Sequence, residues 1–380
     1  MKKINDTSVS KSSIQAAWNF FRLGLLNDAE LEANQYLQQK PKSADALHLL
    51  GAISLHHGRT KVAVELISKA IQIDHKNPEF FNNLGLAYHE QGLIAEAIKQ
   101  YQRAIILAPD YANAHYNLHA AVLDAENPEP AMTSLKKVLD LNPRDVDAIF
   151  MLGLLNEYVG NTQQADLYLE RAKQAGKLYQ ARYDAWQYIK SASKHLMPMM
   201  GSAINTFKYA MRHAASEGLV LEFGVRFGNS IHMLADLADL DGQAVHGFDS
   251  FEGLPDEWHH EPKGSYTTKG VIPEVPGNVT LHAGWFDQTL PAFLAQHSGS
   301  VRFINVDCDI YSSTKTVLAL LAPRIVAGTV IVFDEYIGNA HWREDEFKAF
   351  QEAVLEYGWQ YEYLCFSFFT KQVAVKIIAI

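Results

Sequence analysis

The chain has 380 residues, of which 48% are hydrophobic and 20% charged, and its formal net charge is −10. The length predicts roughly two domains of about 150 residues each, and the composition is typical of folded globular proteins. The acidic balance argues against a nucleic-acid partner, and the lack of an apolar run of about 18 residues argues against a membrane helix.

The cysteines and the first residues bear on the cellular compartment. Cys308 and Cys365 are the only cysteines, too few for a disulfide framework or a cysteine-based zinc site. The first lysines are not followed by the apolar segment of a secretory signal. We therefore expect a cytoplasmic protein.

The N-terminal half repeats with a period of 34 residues. Small residues at fixed offsets allow two helices to cross closely, and prolines mark the boundaries between units. Each unit is predicted to be a helix pair that buries its apolar face by stacking on the next. The five copies contain Gly24, Ala29, Tyr36 and Pro41; Gly51, Gly58, Ala63, Ile67 and Ala70; Gly85, Gly92, Ala97, Tyr101, Ala104 and Pro109; Leu118, Ala131, Leu135, Val138 and Pro143; and Gly153, Gly160, Ala165, Leu169 and Ala172.

This pattern resembles the tetratricopeptide repeat (TPR) over residues 8–176 and implies an all-α solenoid. Such a solenoid has a concave groove that commonly binds protein partners. A purely structural or dimerising arm is the alternative, so a homo-oligomer stays open. A helical connector is predicted over residues 177–214, because Tyr179, Tyr183, Trp186 and Ile189 recur at spacings typical of one buried helix face.

Residues 215–380 alternate β-rich runs with helical segments. This alternation predicts a Rossmann-like α/β domain with seven strands, mostly parallel and closed by a hairpin, whose ligand binds at the carboxyl ends of the strands. The strands are predicted at 219–223, 244–248, 279–282, 301–306, 329–333, 360–367 and 372–378.

The first strand of this domain runs into a glycine-containing turn. Glu222, Gly224, Gly228 and Ser230 follow one another there, without the G-x-G-x-x-G pattern of dinucleotide-binding proteins. Glycines allow the main chain to pass close to a ligand. A carboxylate at Glu222 disfavours a pyrophosphate, whereas it would favour a cationic sulfonium. We therefore expect these four residues to contact a cationic nucleoside cofactor.

The second and third strands offer further cofactor contacts. Asp249 ends the second strand, where an acid can accept hydrogen bonds from ribose hydroxyls. It is followed by Ser250 and by Phe251, which either packs on an adenine or belongs to the core. Trp285 and Phe286 follow the third strand and either form an apolar wall for the adenine or are ordinary core residues.

Acidic residues follow the fourth and fifth strands. Asp307, Asp334 and Glu335 are expected to converge because these strands should be neighbours. Hard oxygen ligands of this kind suit Mg²⁺, which would lower the pKa of an acceptor hydroxyl. Asp309 either supports them or points to the opposite face. The alternative is that these acids cap helices or pair with arginines and hold no metal.

Histidines flank the same region. His259 and His260 lie in a Pro- and Gly-bounded stretch over 255–270, which is predicted to be a surface loop that can close over a substrate. His341 follows the fifth strand closely enough to line an acceptor pocket. It is a candidate general base.

The segments LEFGVRFGNSI, GFDSFEGLP, GWF and DCDIYSSTKTVLALLAPRIVAGTVIVFDEY resemble the TylF/MycF (macrocin-type) O-methyltransferases, a group with the class I methyltransferase fold. The resemblance covers residues 215–380 and implies S-adenosylmethionine as methyl donor, with a divalent cation as helper. The family's paired strand-four acids fall on Asp307 and Asp309, and its strand-five pair falls on Asp334 and Glu335. Glu335 departs from the aspartate of that pair, and macrolide-sugar substrates are not carried over.

These observations predict an S-adenosylmethionine-dependent methyltransferase that acts on a hydroxyl of a small molecule or glycan. Asp307 is the expected metal ligand and proton acceptor, with His341 as a second catalytic candidate. Two alternatives remain open. One is a TPR interaction scaffold with a catalytically silent cofactor-binding domain, and the other is a nicotinamide dehydrogenase.

Overall fold

A computed structural model describes residues 13–193 and 195–380. Residues 8–12 of the predicted repeat segment lie outside the described residues. The chain divides into two compact units, one with residues up to 88 together with 95–111, the other with 89–94 and 112–380. The sequence-based boundaries at 176 and 214 remain predictions.

From residue 13 onwards, where the structure describes the chain, five helix pairs form the N-terminal region, so the predicted all-α repeats are confirmed. Each pair falls within one of the 34-residue copies. The pairs are α1 (Ile14–Arg22) with α2 (Leu26–Gln39), α3 (Ala44–His56) with α4 (Thr60–Ile73), α5 (Pro78–Glu90) with α6 (Ile94–Leu107), α7 (Ala112–Ala121) with α8 (Glu129–Leu141), and α9 (Val146–Tyr158) with α10 (Thr162–Lys173).

The repeat glycines occupy close helix crossings. A Cβ on Gly51 would lie 2.5 Å from the Ile67 side chain, and one on Gly85 would lie 2.6 Å from the Tyr101 ring. In the fourth pair His119 stands at the equivalent position and is fully buried. The period therefore reflects a small residue, usually glycine, in the first helix of a pair that packs closely on the second. Ala17 takes this position in the first pair, and His119 is a departure in the fourth.

Two further helices, α11 (Lys177–Ala192) and α12 (Ala203–His213), precede the sheet. Trp186 and Ile189 on α11 are buried, as the predicted helix face requires, whereas Tyr179 and Tyr183 are half-buried. The Trp186 ring packs against Phe366 of the sheet, with ring centroids 5.2 Å apart.

Among the described residues, we find no helix with the length and hydropathy needed to cross a bilayer.

The seven predicted strands are all present, each within one residue of its predicted bounds. They form one sheet in the order β3-β2-β1-β4-β5-β7-β6, in which β7 is antiparallel to both neighbours. The strands are β1 (Leu219–Phe223), β2 (Val245–Asp249), β3 (Val279–Ala283), β4 (Val301–Val306), β5 (Val330–Phe333), β6 (Gln360–Phe366) and β7 (Val373–Ala379). The connecting helices are α13 (Asn229–Asp239), α14 (Phe286–Gln296), α15 (Tyr311–Leu321), a short 3₁₀ turn (Ala322–Arg324) and α16 (Glu346–Tyr357).

The strand register aligns the carboxyl ends of four parallel strands. Phe223 of β1 pairs with Phe248 of β2 and with Val306 of β4. Val306 pairs in turn with Phe333 of β5. The residues that end or follow these strands therefore lie side by side along one edge of the sheet.

The turn between β6 and β7 packs against the last repeats. Phe368 contacts the Phe150 ring of α9 edge-on, with centroids 5.0 Å apart. Phe369 lies 5.1 Å from the His89 ring and 6.1 Å from the His119 ring. The final helix pairs and the sheet thus share one hydrophobic core.

Candidate active site

The turn after β1 requires glycine. Gly224 has φ +95°, and a Cβ there would lie 1.7 Å from the main-chain oxygen of Asp307. Gly228 has φ +85° and is the N-cap of α13. Positive φ is costly for residues with a side chain, so the two glycines of the predicted motif fix the path of this turn.

Glu222 lies fully buried on β1, beneath that turn. Its Oε1 accepts hydrogen bonds from the Ser230 hydroxyl and from Asn305 Nδ2, the latter at 3.3 Å. Its Oε2 has no partner in the part of the chain that the structure describes. Burial raises the pKa of Glu222 to about 8, and the charges of Asp249 and Asp334 add to this rise. The site would therefore favour a cationic ligand.

Asp249 closes the glycine turn. Its Oδ2 accepts hydrogen bonds from the main-chain N–H groups of Val225 at 2.8 Å and Arg226 at 2.7 Å. Its Oδ1 accepts one from Phe251 at 2.6 Å. A carboxylate has about four acceptor positions, so roughly one position on Asp249 remains for a ligand hydroxyl. The sequence-based prediction assumed that Asp249 accepts hydrogen bonds from more than one ribose hydroxyl.

The residues after β2 and β3 differ in exposure. Ser250 is half-buried, and its hydroxyl accepts a hydrogen bond from the Glu252 N–H at 3.1 Å. Phe251 is only 2% exposed and belongs to the hydrophobic core. This is the second of the two alternatives that the sequence left open for this residue. Trp285 is half-buried at the start of α14, and Phe286 packs edge-on against the core ring of Phe223 at 5.4 Å.

Asp307 and Asp334 continue the hydrogen-bond ladder past the ends of their strands. The Asp307 N–H donates to the Phe223 oxygen at 2.8 Å, and the Asp334 N–H donates to the Val306 oxygen at 3.0 Å. The main chain therefore fixes both acids at neighbouring strand ends. β4 and β5 are neighbours, as predicted, whereas convergence of the Asp307, Asp334 and Glu335 side chains stays a prediction.

The acids at this edge raise one another's pKa values. Burial raises the pKa of Asp307 well above its ordinary value, and the charges of Asp334 and Asp309 raise it further. Burial, with the charge of Glu335 next, raises the pKa values of Asp309 and Asp334 to about 7. Burial and mutual repulsion therefore favour the protonated forms of these acids as long as no cation lies beside them.

The hairpin turn supplies partners to two of these acids. Lys371 Nζ lies 2.7 Å from Glu335 Oε1 in an ion pair, and Gln372 Nε2 donates to Asp334 Oδ1 at 2.8 Å. Arg226 is half-buried, and its charge acts on Asp307 and Asp309. Glu335, the residue that departs from the family pair, is thus already matched with a cation.

Glu346 is a member of the acidic cluster that sequence reasoning missed. It is fully buried at the start of α16, and its Oε2 accepts a hydrogen bond from the Glu335 N–H at 3.0 Å. Its Oε1 has no partner within the described residues. Burial raises its pKa well above the ordinary value, with the charge of Asp334 next. In the sequence, the adjacent acids Asp345 and Glu346 could have suggested this role, but they do not directly follow a strand.

The carboxylates suit a hard cation by chemistry, although they are not all gathered at ligand distance. Among the described residues, His259, His341 and Glu344 form the group whose ligand atoms lie within 4.8 Å of one another, and Asp307, Asp334 and Glu335 do not form such a group. Mg²⁺ needs only a few carboxylates because water completes its shell. Asp307 and Asp334 fit this requirement, whereas Glu335 is ion-paired.

The sequence-predicted base, His341, lies in that second group. Its ring stacks on His259 with centroids 4.4 Å apart, and its Nδ1 lies 3.4 Å from Glu344 Oε1. It is exposed. These contacts associate His341 with the 255–270 loop, and its role as a base stays a prediction.

Comparison with protein families recognises both halves. A methyltransferase-domain model matches residues 221–336, and a TPR model matches residues 56–92 and 90–125. The chain carries TPR repeats followed by a methyltransferase domain. The methyltransferase match contains the glycine turn and the ends of the first five strands, where the candidate site lies.

The similar proteins match different parts of the chain. An 8-demethyl-8-(2,3-dimethoxy-alpha-L-rhamnosyl)-tetracenomycin-C 4'-O-methyltransferase of Streptomyces olivaceus is 28% identical over 36% of this chain and 61% of its own length. The type IV pilus assembly protein PilF of Pseudomonas aeruginosa is 30% identical over 41% of this chain and 65% of its own. The solved calicheamicin methyltransferase CalS11 covers 67% of this chain and 94% of its own, with 20% identity and a TM-score of 0.39.

The chain spans only part of the curated relatives that it matches. It covers 22% of a serine/threonine-protein phosphatase T of Trypanosoma brucei brucei and 11% of the mouse protein O-mannosyl-transferase TMTC1.

Proposed function

We propose that this protein transfers a methyl group from S-adenosylmethionine to a hydroxyl of a small molecule or glycan. A methyltransferase domain implies this donor, and the tetracenomycin O-methyltransferase among the relatives supports oxygen as the acceptor atom. The observation that carries the proposal is Glu222, a fully buried carboxyl beneath the glycine turn with one oxygen unpartnered among the described residues. A buried carboxylate is stabilised by a nearby positive charge, which the donor would provide.

The cofactor would lie along the edge formed by β1, β2 and β3. Glu222 and Ser230 would face its cationic part, while Gly224 and Gly228 let the main chain approach it. Asp249 would accept a ribose hydroxyl at its remaining acceptor position, and Ser250 follows it. Trp285 and Phe286 are the proposed apolar wall for the adenine. Phe251, by contrast, supports the turn from within the core.

S-adenosylmethionine, when bound, supplies an electrophilic methyl group on a sulfonium sulfur. We infer that Asp307 takes the proton of the acceptor hydroxyl as the O–C bond forms and the C–S bond breaks. Asp307 and Asp334 would hold a Mg²⁺ ion, which lowers the pKa of a bound hydroxyl. Glu335 would stay paired with Lys371 and contribute to the charge of the site.

The repeats are proposed to bind a protein partner or to present the acceptor. Stacked helix pairs provide an extended surface suited to this role. Their hydrophobic core is continuous with that of the sheet through Phe368 and Phe150 in the second unit, so the last repeats would be a fixed part of the enzyme.

Methyl transfer from a labelled donor to fractionated cell extract tests the proposal. The full-length protein is expected to label one acceptor fraction, and chelation by EDTA is expected to reduce the rate. If the protein binds the donor in calorimetry but labels no fraction, the alternative of a TPR interaction scaffold with a catalytically silent cofactor-binding domain is correct. If EDTA leaves the rate unchanged, the Mg²⁺ step is wrong.

A further inference from the structure

Two loops of the methyltransferase domain meet at a pair of stacked histidines. His259 belongs to the 255–270 loop, whereas His341 and Glu344 lie between β5 and α16. The two imidazole rings are nearly parallel, with centroids 4.4 Å apart and an interplanar angle of 22°. The ligand atoms of these three side chains all lie within 4.8 Å of one another, and all three residues are exposed.

A carboxylate behind this group orients His259. The His259 Nε2 lies 2.9 Å from Asp345 Oδ2, and an ionised carboxylate only accepts hydrogen bonds, so Nε2 carries the proton. Asp345 is 8% exposed and also accepts a hydrogen bond from Trp258 Nε1 at 3.0 Å. In the neutral ring the Nδ1 lone pair is therefore available. Histidines that bind metals are commonly held in this way, by a carboxylate on the other ring nitrogen.

We propose that His259, His341 and Glu344 form a zinc-binding site, with Asp345 as the positioning residue for His259. Two imidazole nitrogens and one carboxylate oxygen are a ligand set that Zn²⁺ accepts, with a fourth position open to water or substrate. Because an imidazole lone pair lies in the ring plane, the exposed His341 ring would rotate out of its stack on His259 to bind the same ion. Mg²⁺ prefers oxygen ligands, so this site and the acidic cluster select different ions. In this role His341 is a metal ligand and not a base.

A metal here would join the 255–270 loop to the segment after β5. The same loop carries Tyr266, whose ring lies 4.9 Å from the Arg226 guanidinium. Arg226 in turn acts on Asp307 and Asp309. Zinc binding would therefore hold in place a loop that borders the acidic cluster.

The test titrates Zn²⁺ into full-length protein that has been dialysed against a chelator. Calorimetry should give one high-affinity ion per chain, and His259→Ala or His341→Ala should each weaken its binding at least about tenfold. His260→Ala is the matched control, because His260 is an exposed neighbour outside the group. Its zinc affinity should equal that of the wild type.

Cobalt provides a spectroscopic signature of the same site. Co²⁺ added to the wild type should give visible absorption bands of a nitrogen-coordinated ion, and these should be lost in His341→Ala and retained in Asp334→Asn. The proposal is wrong if the wild type takes up no zinc, or if both histidine variants bind it as the wild type does. It is equally wrong if Asp334→Asn removes the cobalt bands and His341→Ala does not.

Discussion

A side chain on Gly224 would place its Cβ 1.7 Å from the carbonyl oxygen of Asp307. The turn after β1 and the turn after β4 are therefore in direct main-chain contact. Asp249 fastens the first turn through the N–H groups of Val225 and Arg226, and the Asp307 N–H fastens the second to Phe223. The proposed cofactor turn and the proposed catalytic acid are thus positioned by one continuous main-chain network.

Gly224→Ala should destabilise the protein and remove donor binding. The variant combines a positive φ with a main-chain clash, and we expect a loss above the roughly 1–2 kcal/mol that positive φ alone costs. Gly242→Ala is the control, because Gly242 has φ +66° with nothing within 4 Å of a Cβ. Urea unfolding measures both. Equal losses in the two variants would mean that the contact with Asp307 is unimportant.

Glu222→Gln should weaken the binding of S-adenosylmethionine more than that of S-adenosylhomocysteine, which lacks the sulfonium charge. The fold should be kept, because burial already raises the pKa of Glu222 to about 8 and a neutral isostere fits the site. Buried interactions with charged groups contribute about 1.5–3 kcal/mol, so the donor Kd should rise about tenfold to a hundredfold.

Calorimetry with both ligands measures that difference. Glu252→Gln, at an exposed position on the neighbouring turn, serves as the control and should bind both ligands normally. A Glu222→Gln protein that loses affinity for the two ligands equally would show that Glu222 does not respond to the sulfonium charge.

Asp307→Asn should lower turnover by at least about a hundredfold and leave the donor bound. Removing a positioned proton acceptor lowers kcat by about 10²–10⁴-fold, while the main-chain contact with Gly224 is unaffected by the side-chain change. Steady-state rates and donor Kd are compared in the same preparation. If binding and turnover are lost together, the division of roles between Asp249 and Asp307 is incorrect.

The buried histidines His89 and His119 should make the folded state less stable as the pH falls from about 6.5 towards 4. Burial lowers the pKa values of His89 and His119 to about 4, so the unfolded chain takes up protons in this range before the folded chain does. Each such proton costs about 1.4 kcal/mol per pH unit. The buried acids have raised pKa values and act in the opposite direction, so a comparison with variants is needed.

Urea midpoints of the wild type and of His119→Leu, measured across this pH range, isolate the histidine contribution. Relative to the wild type, His119→Leu should gain stability as the pH falls, whereas His260→Ala, at an exposed histidine, should follow the wild type. Parallel curves for the wild type and His119→Leu would show that the buried histidine does not control the transition.

The repeats and the strands were predictable because both leave a local signal in the sequence. A glycine such as Gly51 recurs at a fixed distance from the large residue that it faces, Ile67. A buried strand such as β5 is a short, continuous apolar run. General rules for α/β folds placed the ligand at the carboxyl ends of the strands, which is the edge that carries Asp249, Asp307 and Asp334.

Contacts between distant segments left no such signal. Glu346 joins the acidic cluster from the start of α16, and Lys371 joins it from the hairpin turn. His341 stacks on His259, more than eighty residues earlier in the chain. The hydrogen bonds that occupy Asp249 depend on the exact path of the glycine turn. Sequence patterns identify which strand ends meet, whereas the loops that surround them require coordinates.

Calorimetric titration of the full-length protein with S-adenosylmethionine and, separately, with NAD tests the central claim most directly. We predict that one molecule of the methyl donor binds per chain, that NAD does not bind, and that Asp249→Ala loses the donor affinity. Binding of NAD in preference to the donor, or a wild-type protein that binds neither, would contradict the account.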